Sequence, residues 1–184
     1  MVDLFSYLWA KKRYTPHDKL SYVIPVKAVK DTEGVLREYG SRIPSNEGLV
    51  YWGGRQDTNV ITVSMVIVPK TESSRGRVST SQRSNFDFVR TLNRHKSIQI
   101  AQVHSHPTNW IDHSTGDDVL AAFKREGLLS IVVPSYCRRG MTPLTSCGCH
   151  RFTHTTFIRL SNRYIETHFT IAENINSVFE DLRK

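Results

Sequence analysis

The stretch SIQIAQVHSHPTNWIDHSTGDDVLAAF, residues 97–123, decides how this chain reads. Its first part, Ser97 to Val103, is apolar and β-branched enough to predict a strand. Residues two apart on a strand point the same way, so His104 and His106 present both rings on one face. Pro107 then interrupts the strand. From Ser114 the pattern Ser-Thr-Gly-Asp-Asp followed by apolar residues predicts a capped helix running to Gly127, with Asp117 in its first turn, where amide dipoles favour a carboxylate. Two imidazoles and one carboxylate form a ligand set suited to catalytic zinc, with a fourth position open to water. Each half also has a structural reading. An isolated H-x-H pair is often two hydrogen-bonded histidines, and Ser114 with Asp117 fits a helix N-cap with an acidic N3 residue.

Written as spacing, the string is H-x-H-x7-S-x2-D. It resembles the JAMM motif of the MPN (JAB) metalloproteases, whose full signature adds an upstream Glu. Glu47, in Ser45-Asn46-Glu47-Gly48-Leu49-Val50-Tyr51-Trp52-Gly53-Gly54, resembles that Glu, since it precedes an apolar strand that ends in glycine. Glu72 and Glu33 compete, but the first lies in a Ser/Arg-rich segment and the second within a helix-like one. The resemblance covers about residues 20–171, and its specific part is confined to Glu47 and 104–117. No segment matches the insertions with which large eukaryotic members grip polyubiquitin.

Strands and helices mix without strict βαβ alternation, which predicts an α+β fold, and the resemblance implies a mixed curved sheet flanked by helices. It also implies zinc (Zn2+) held by His104, His106 and Asp117, with Glu47 and Ser114 as catalytic residues. Glu47 would pass the proton from water to the departing amine, and Ser114 would donate to the developing oxyanion. The implied reaction is hydrolysis of the isopeptide or peptide bond after the C-terminal glycine of a ubiquitin-like protein. Implied partners are that protein or its conjugates and the activating and conjugating enzymes of the same system, including antiviral ones. A general peptidase or one maturing a sulfur-carrier protein uses the same site. A silent MPN scaffold normally lacks part of the ligand set, and a DNA-associated relative is favoured only by the charge. Asp112, His113 and Asp118 are expected to face water, His113 ranks below the pair as a ligand, and Trp110 either flanks the groove or packs the loop.

The rest of the chain bounds these readings. Its 184 residues suit one domain, 1–184, with a core at about 20–171 and helical extensions at both ends. No apolar run approaches the ~20 residues of a membrane span. Met1 to Arg13 carries its charge after its apolar part, the reverse of a secretory signal, so it is expected to pack on the domain or a dimer mate, and a cytoplasmic location is expected. Three cysteines, Cys137, Cys147 and Cys149, make a disulfide framework improbable. Cys147-Gly148-Cys149-His150 is too tightly spaced for a structural zinc knuckle, so reduced thiols are expected. The net charge of +8 invites anionic partners, but the basic residues are scattered and no specific nucleic-acid reader is indicated.

Periodicity gives the remaining elements. A strand over residues 21–26 feeds a helix to Tyr39, and residues 48–53 and 60–68 form a hairpin around Gln56 to Asn59. Lys70 to Ser81 reads as loop. A helix capped at Ser84-Asn85 buries Phe86, Val89 and Leu92, with Phe88 alongside. The family resemblance adds a strand at 130–134 and late strands at His150 to Phe152 and Phe157 to Leu160; 166–171 reads as a further strand, and Asn174 to Arg183 as a closing helix.

Overall fold

A computed structural model of the chain describes residues 19–184, so the expectation for Met1 to Arg13 lies outside the described residues. The fold is α+β. One curled mixed sheet has the strand order β10-β1-β3-β2-β6-β7-β8-β9, and β11 pairs with β3 beside β1. Its strands are β1 (Ser21–Pro25), β2 (Leu49–Asp57), β3 (Val60–Val68), β6 (Ile98–Ser105), β7 (Leu129–Val133), β8 (Gly148–Thr153), β9 (Thr156–Arg159), β10 (Phe169–Ala172) and β11 (Val178–Asp181). A separate hairpin joins β4 (Thr71–Ser74) to β5 (Arg77–Thr80). Among the described residues four α-helices accompany them: α1 (Val26–Gly40), α2 (Gln82–Arg94), α3 (Thr115–Leu120) and α4 (Asn162–His168).

The centre of the sheet is covered on both faces, which is why β2 begins as an unbroken apolar run instead of alternating. Val50 and Trp52 join the core under α1, with Ala28, Val29, Val35 and Leu36 of that helix. Leu49 and Tyr51 point the other way, into a cluster with Phe88 and Leu92 of α2 and Met65 and Ile67 of β3. Trp52 is fully buried, and its Nε1 donates to Thr32 Oγ1 at 2.8 Å, which satisfies the one polar atom its burial would otherwise strand. On either side of Gly53 the register of β2 shifts, between Trp52 and Gly53 against β6 and between Gly53 and Gly54 against β3. A Cβ on Gly54 would lie 2.1 Å from the Thr62 carbonyl oxygen, so the bulge requires glycine there.

Several expectations need correction. Residues 71–80 are a hairpin, with Glu72 opposite Ser79 and Val78 packed on the α2-side cluster. α2 is capped one turn earlier than expected, by Ser81, whose Oγ accepts from Ser84 N. It buries Phe88 and Leu92 but leaves Phe86 59% and Val89 40% exposed. α3 ends at Leu120, short of Gly127. Residues 162–168 form a helix capped by Ser161, and the strand expected there starts only at Phe169. The closing segment is no helix. Val178 to Asp181 pair in parallel with Met65 to Val68, because β1 covers only the Val60–Thr62 end of that edge of β3. An unpaired edge offers a complete row of backbone partners, and that outweighs local helical preference.

Candidate metal centre

The site forms where β6 leaves the sheet. His104 lies in register with Leu49 of β2 and Val132 of β7, so it is held from both sides. His106 extends the pattern by donating its backbone N–H to Val133 O at 2.9 Å. Both histidines are nearly excluded from water, at 3% and 4% exposure. After Pro107 the chain crosses a loop that is pinned throughout. Tyr136 N donates to His106 O, and Ser135 N to Thr108 O, each at 2.8 Å. Arg159 Nη1 donates to Asp112 Oδ1 at 2.6 Å. Gly148 lets β8 approach so closely that an added Cβ would meet Ile111 O at 1.7 Å.

The loop delivers Asp117 to the two rings at the start of α3. His104 Nε2 and His106 Nε2 are 3.2 Å apart; Asp117 Oδ1 is 3.3 Å from the first and Oδ2 is 3.2 Å from the second. Ligand atoms ~2.0–2.1 Å from a tetrahedral ion stand roughly 3.3–3.4 Å from one another, so these separations fit a zinc-sized cation. The protonation pattern agrees. His106 Nδ1 lies 3.0 Å from the Trp110 carbonyl, which can only accept, so in the neutral ring the proton sits on Nδ1 and Nε2 offers a lone pair. Among the described residues, His104, His106 and Asp117 are the one cluster of three or more such side chains able to hold a metal.

Electrostatics reinforce the convergence. Burial works against the Asp117 charge, but the His104 and His106 rings and the Ser114 backbone hold its carboxyl far below the ordinary range. Burial likewise opposes a charged His106, and Asp117 followed by Glu47 reverses the balance and raises its pKa. Ser114 is occupied in the cap. Its N–H and its hydroxyl both donate to Asp117 Oδ2, at 2.7 and 2.9 Å, and its Oγ accepts from Asp117 N. The structural reading of these two residues therefore holds, and it leaves the Asp117 carboxylate facing both rings. In this conformation the Ser114 hydroxyl positions a carboxylate and is not free to meet an oxyanion.

Glu47 stands two residues before β2, the strand that pairs with β6. Its backbone N–H donates to Ser74 O of the β4–β5 hairpin at 2.8 Å, and Gly48 N donates to Ser105 Oγ at 3.0 Å. The side chain is only 4% exposed. Burial, with Asp117 adding and His106 opposing, pushes its pKa up to about 7. Glu33 is elsewhere, bound to Arg37 and to Met141 N, and Glu72 is on the exposed side of the hairpin.

The structure overturns one expectation near the site, joins the two for Trp110 and agrees with the one for the cysteines. His113 does not face water: it is bonded on both nitrogens, to Asp118 Oδ1 at 2.9 Å and Ser130 Oγ at 2.8 Å, with Gln102 Nε2 donating to the same hydroxyl. Its ring centroid lies 4.2 Å from that of His150, tilted by 34°, and burial lowers the His150 pKa to about 4. Trp110 both packs and flanks, with its ring stacked on His106 and half of its surface open. The three cysteines are free and buried, and burial pushes Cys137 to about 11 and Cys147 to about 12, with Cys149 higher still. Protonated thiols of this kind are poor metal ligands.

No protein-family model matches the chain. Over 125 residues, 66% of this chain and 75% of the other, it is 27% identical to a protein of Sinorhizobium fredii (strain NBRC 101917 / NGR234) named "Probable metalloprotease y4jG". Its fold is similar to the solution structure of protein DSY2949 from Desulfitobacterium hafniense, with a TM-score of 0.60 over 84% of this chain and 94% of that one. At 18% identity that likeness shows the fold alone.

Proposed function

We propose that the chain is a single JAMM-like domain acting as a zinc-dependent peptidase, cutting after the C-terminal glycine of a ubiquitin-like protein. The observation that carries this reading is the convergence of three lone-pair donors, His104 Nε2, His106 Nε2 and the Asp117 carboxylate, at the edge lengths of a zinc tetrahedron. The name of the Sinorhizobium relative, a probable metalloprotease, supports the peptidase part. Its finer part, the ubiquitin-like substrate, rests on the resemblance of Glu47 and residues 104–117 to the JAMM signature.

When bound, a zinc ion supplies Lewis acidity for water activation and carbonyl polarisation. His104, His106 and Asp117 hold it, and the Trp110 carbonyl keeps His106 in the ligating tautomer. Glu47, poised near neutrality, takes a proton on its carboxylate and returns it to the departing amine, which asks one group to work in both directions near pH 7. Ser114 positions Asp117 through the cap. A cavity of about 390 Å³ bounded by Gly76 to Val78, Ser114 to Asp117 and Val119 opens beside Asp117, and its small residues leave room for an extended, glycine-ended tail.

The test is a ubiquitin-like domain fused through its terminal glycine to a reporter and incubated with zinc-loaded wild type and Glu47→Ala. Cleavage after that glycine by wild type, abolished by chelation and reduced ~10²-fold or more in the variant, is expected. Trimming of unrelated peptides with every such fusion left intact would replace the substrate with a general peptidase range. No hydrolysis of any kind would overturn the enzyme reading.

A further inference from the structure

The tip of the β4–β5 hairpin and the turn after β7 meet beside the metal centre, and each brings an arginine. Arg75 and Arg138 line one cavity of about 400 Å³, with Pro44, Pro107 and Tyr136 among its walls. Ligand pockets commonly enclose ~300–1,000 Å³. Chain neighbours fix its place: Pro44 and Ser45 lead into Glu47, and Pro107 follows His106. No acidic side chain lines it.

Two further observations show that the cavity is built and left uncompensated. Seven arginines, Arg37, Arg42, Arg83, Arg90, Arg94, Arg159 and Arg183, are paired with carboxylates of the chain itself, while Arg55, Arg77, Arg125, Arg139, Arg151 and Arg163 pair with none among the described residues; what sets Arg75 and Arg138 apart is that both line one cavity. Arg75 and Arg138 are exposed and pair with no carboxylate among the described residues. Between them, Tyr136 is buried, and it sits with Ser135 and Cys137 in three successive left-handed backbone conformations, with φ of 53°, 54° and 61°. Such strain persists only where the surroundings over-determine it. Here α1 holds the turn, Arg37 Nε donating to Cys137 O at 3.1 Å, while Tyr136 N holds His106 O. The Tyr136 hydroxyl donates to Arg75 O at 2.8 Å, which ties the hairpin tip to the backbone of a proposed metal ligand.

We propose that this cavity is an anion subsite, which takes a carboxylate of the bound polypeptide close to the bond that is cut. The identity of that polypeptide as a substrate rests on the peptidase reading; the carboxylate chemistry does not. Two guanidinium groups without counter-ions offer a carboxylate opposite charge and N–H donors, and they disfavour a basic tail at the same place. The carboxylate can belong to an acidic side chain or to a free chain end.

The experiment uses the full zinc-loaded chain carrying Glu47→Gln, so that peptides survive, and reads fluorescence anisotropy. The probes are labelled glycyl-glycyl pentapeptides: acidic with an amidated end, basic with an amidated end, neutral with an amidated end, and neutral with a free carboxylate. The acidic amide should bind about tenfold tighter than the basic one, and adding Arg75→Glu with Arg138→Glu should reverse that order. Raising salt to about 0.5 M should flatten it. If the neutral free acid shares the advantage over the neutral amide, the chain end is a source of the carboxylate; if it does not, the side chain is. Binding of all four peptides within about twofold, or an acidic preference that survives the double reversal, overturns the proposal. Charge-selective binding by the variant, with zinc-loaded wild type hydrolysing none of the peptides or ubiquitin-like fusions, keeps the subsite and overturns the peptidase. Hydrolysis with no charge preference does the opposite.

Discussion

Exchanging Glu47 for Gln removes its charge and keeps its shape, so it separates the chemistry of this group from the energetic cost of holding it. The side chain is 4% exposed, and burial raises its pKa from 4.5 to about 7. Between those values the folded chain keeps a proton that the unfolded chain has released. Stability therefore falls as pH rises through that window, the reverse of a salt-bridged carboxylate. At about 1.4 kcal/mol per pH unit, the charged carboxylate costs up to about 3 kcal/mol above pH 7. Relaxation and residual structure in the unfolded chain bring the expected difference to about 1–3 kcal/mol. The assay is denaturant unfolding of chelator-treated wild type and Glu47→Gln between pH 5 and pH 8, comparing midpoints at unchanged slope. The variant should lie within about 1 kcal/mol of wild type at pH 5 and exceed it by more at pH 8, while losing turnover, as expected where function is held at the expense of stability. A variant less stable than wild type at pH 8, or a difference that does not change with pH, refutes the burial argument.

Replacing His104 and His106 together by Ala should take zinc from about one ion per chain to none by elemental analysis of dialysed protein, and full retention would exclude these ligands. Ser114→Ala deletes the cap acceptor and the hydroxyl that holds Asp117. It should cost ~1 kcal/mol of stability and weaken zinc by ~10–100-fold in competitive chelator titration; unchanged affinity would leave Ser114 with a capping role alone. Gly148→Ala drives a methyl into Ile111 O. It should lower stability by ~1–3 kcal/mol in thermal melts, and an unshifted transition would mean that β8 does not fix the 107–113 loop.

The parts that could be read along the chain are those encoded by local period. Strand alternation is enough to put His104 and His106 on one face. The run from Ser21 to Gly40 shows a strand and helix, and Val60 to Val68 shows a β-branched strand, before any contact is known. The failures share one cause. The β4–β5 hairpin lacks an apolar alternation because only Val78 packs inward, and β11 exists because β3 has half an edge to spare. The buried face of α2 went to Phe88 and Leu92 instead of Phe86 and Val89 because Tyr51, Met65 and Ile67 lie on that side.

By itself, the sequence determined the candidate residue types, their spacing and the α+β class, since these follow from periodicity and capping chemistry within a few residues. Only the tertiary structure decided that three donor atoms stand 3.2–3.3 Å apart, because that depends on β6 being held between β2 and β7 while β8 presses on the loop. It alone decided that Glu47 is buried beside His106 and that His113 is bonded on both sides. It also decided that a main-chain carbonyl, at Trp110, sets the tautomer of His106. Every residue carries such a carbonyl, so no residue letter distinguishes the one that matters, and long-range register is a property of paired strands that neither strand encodes alone.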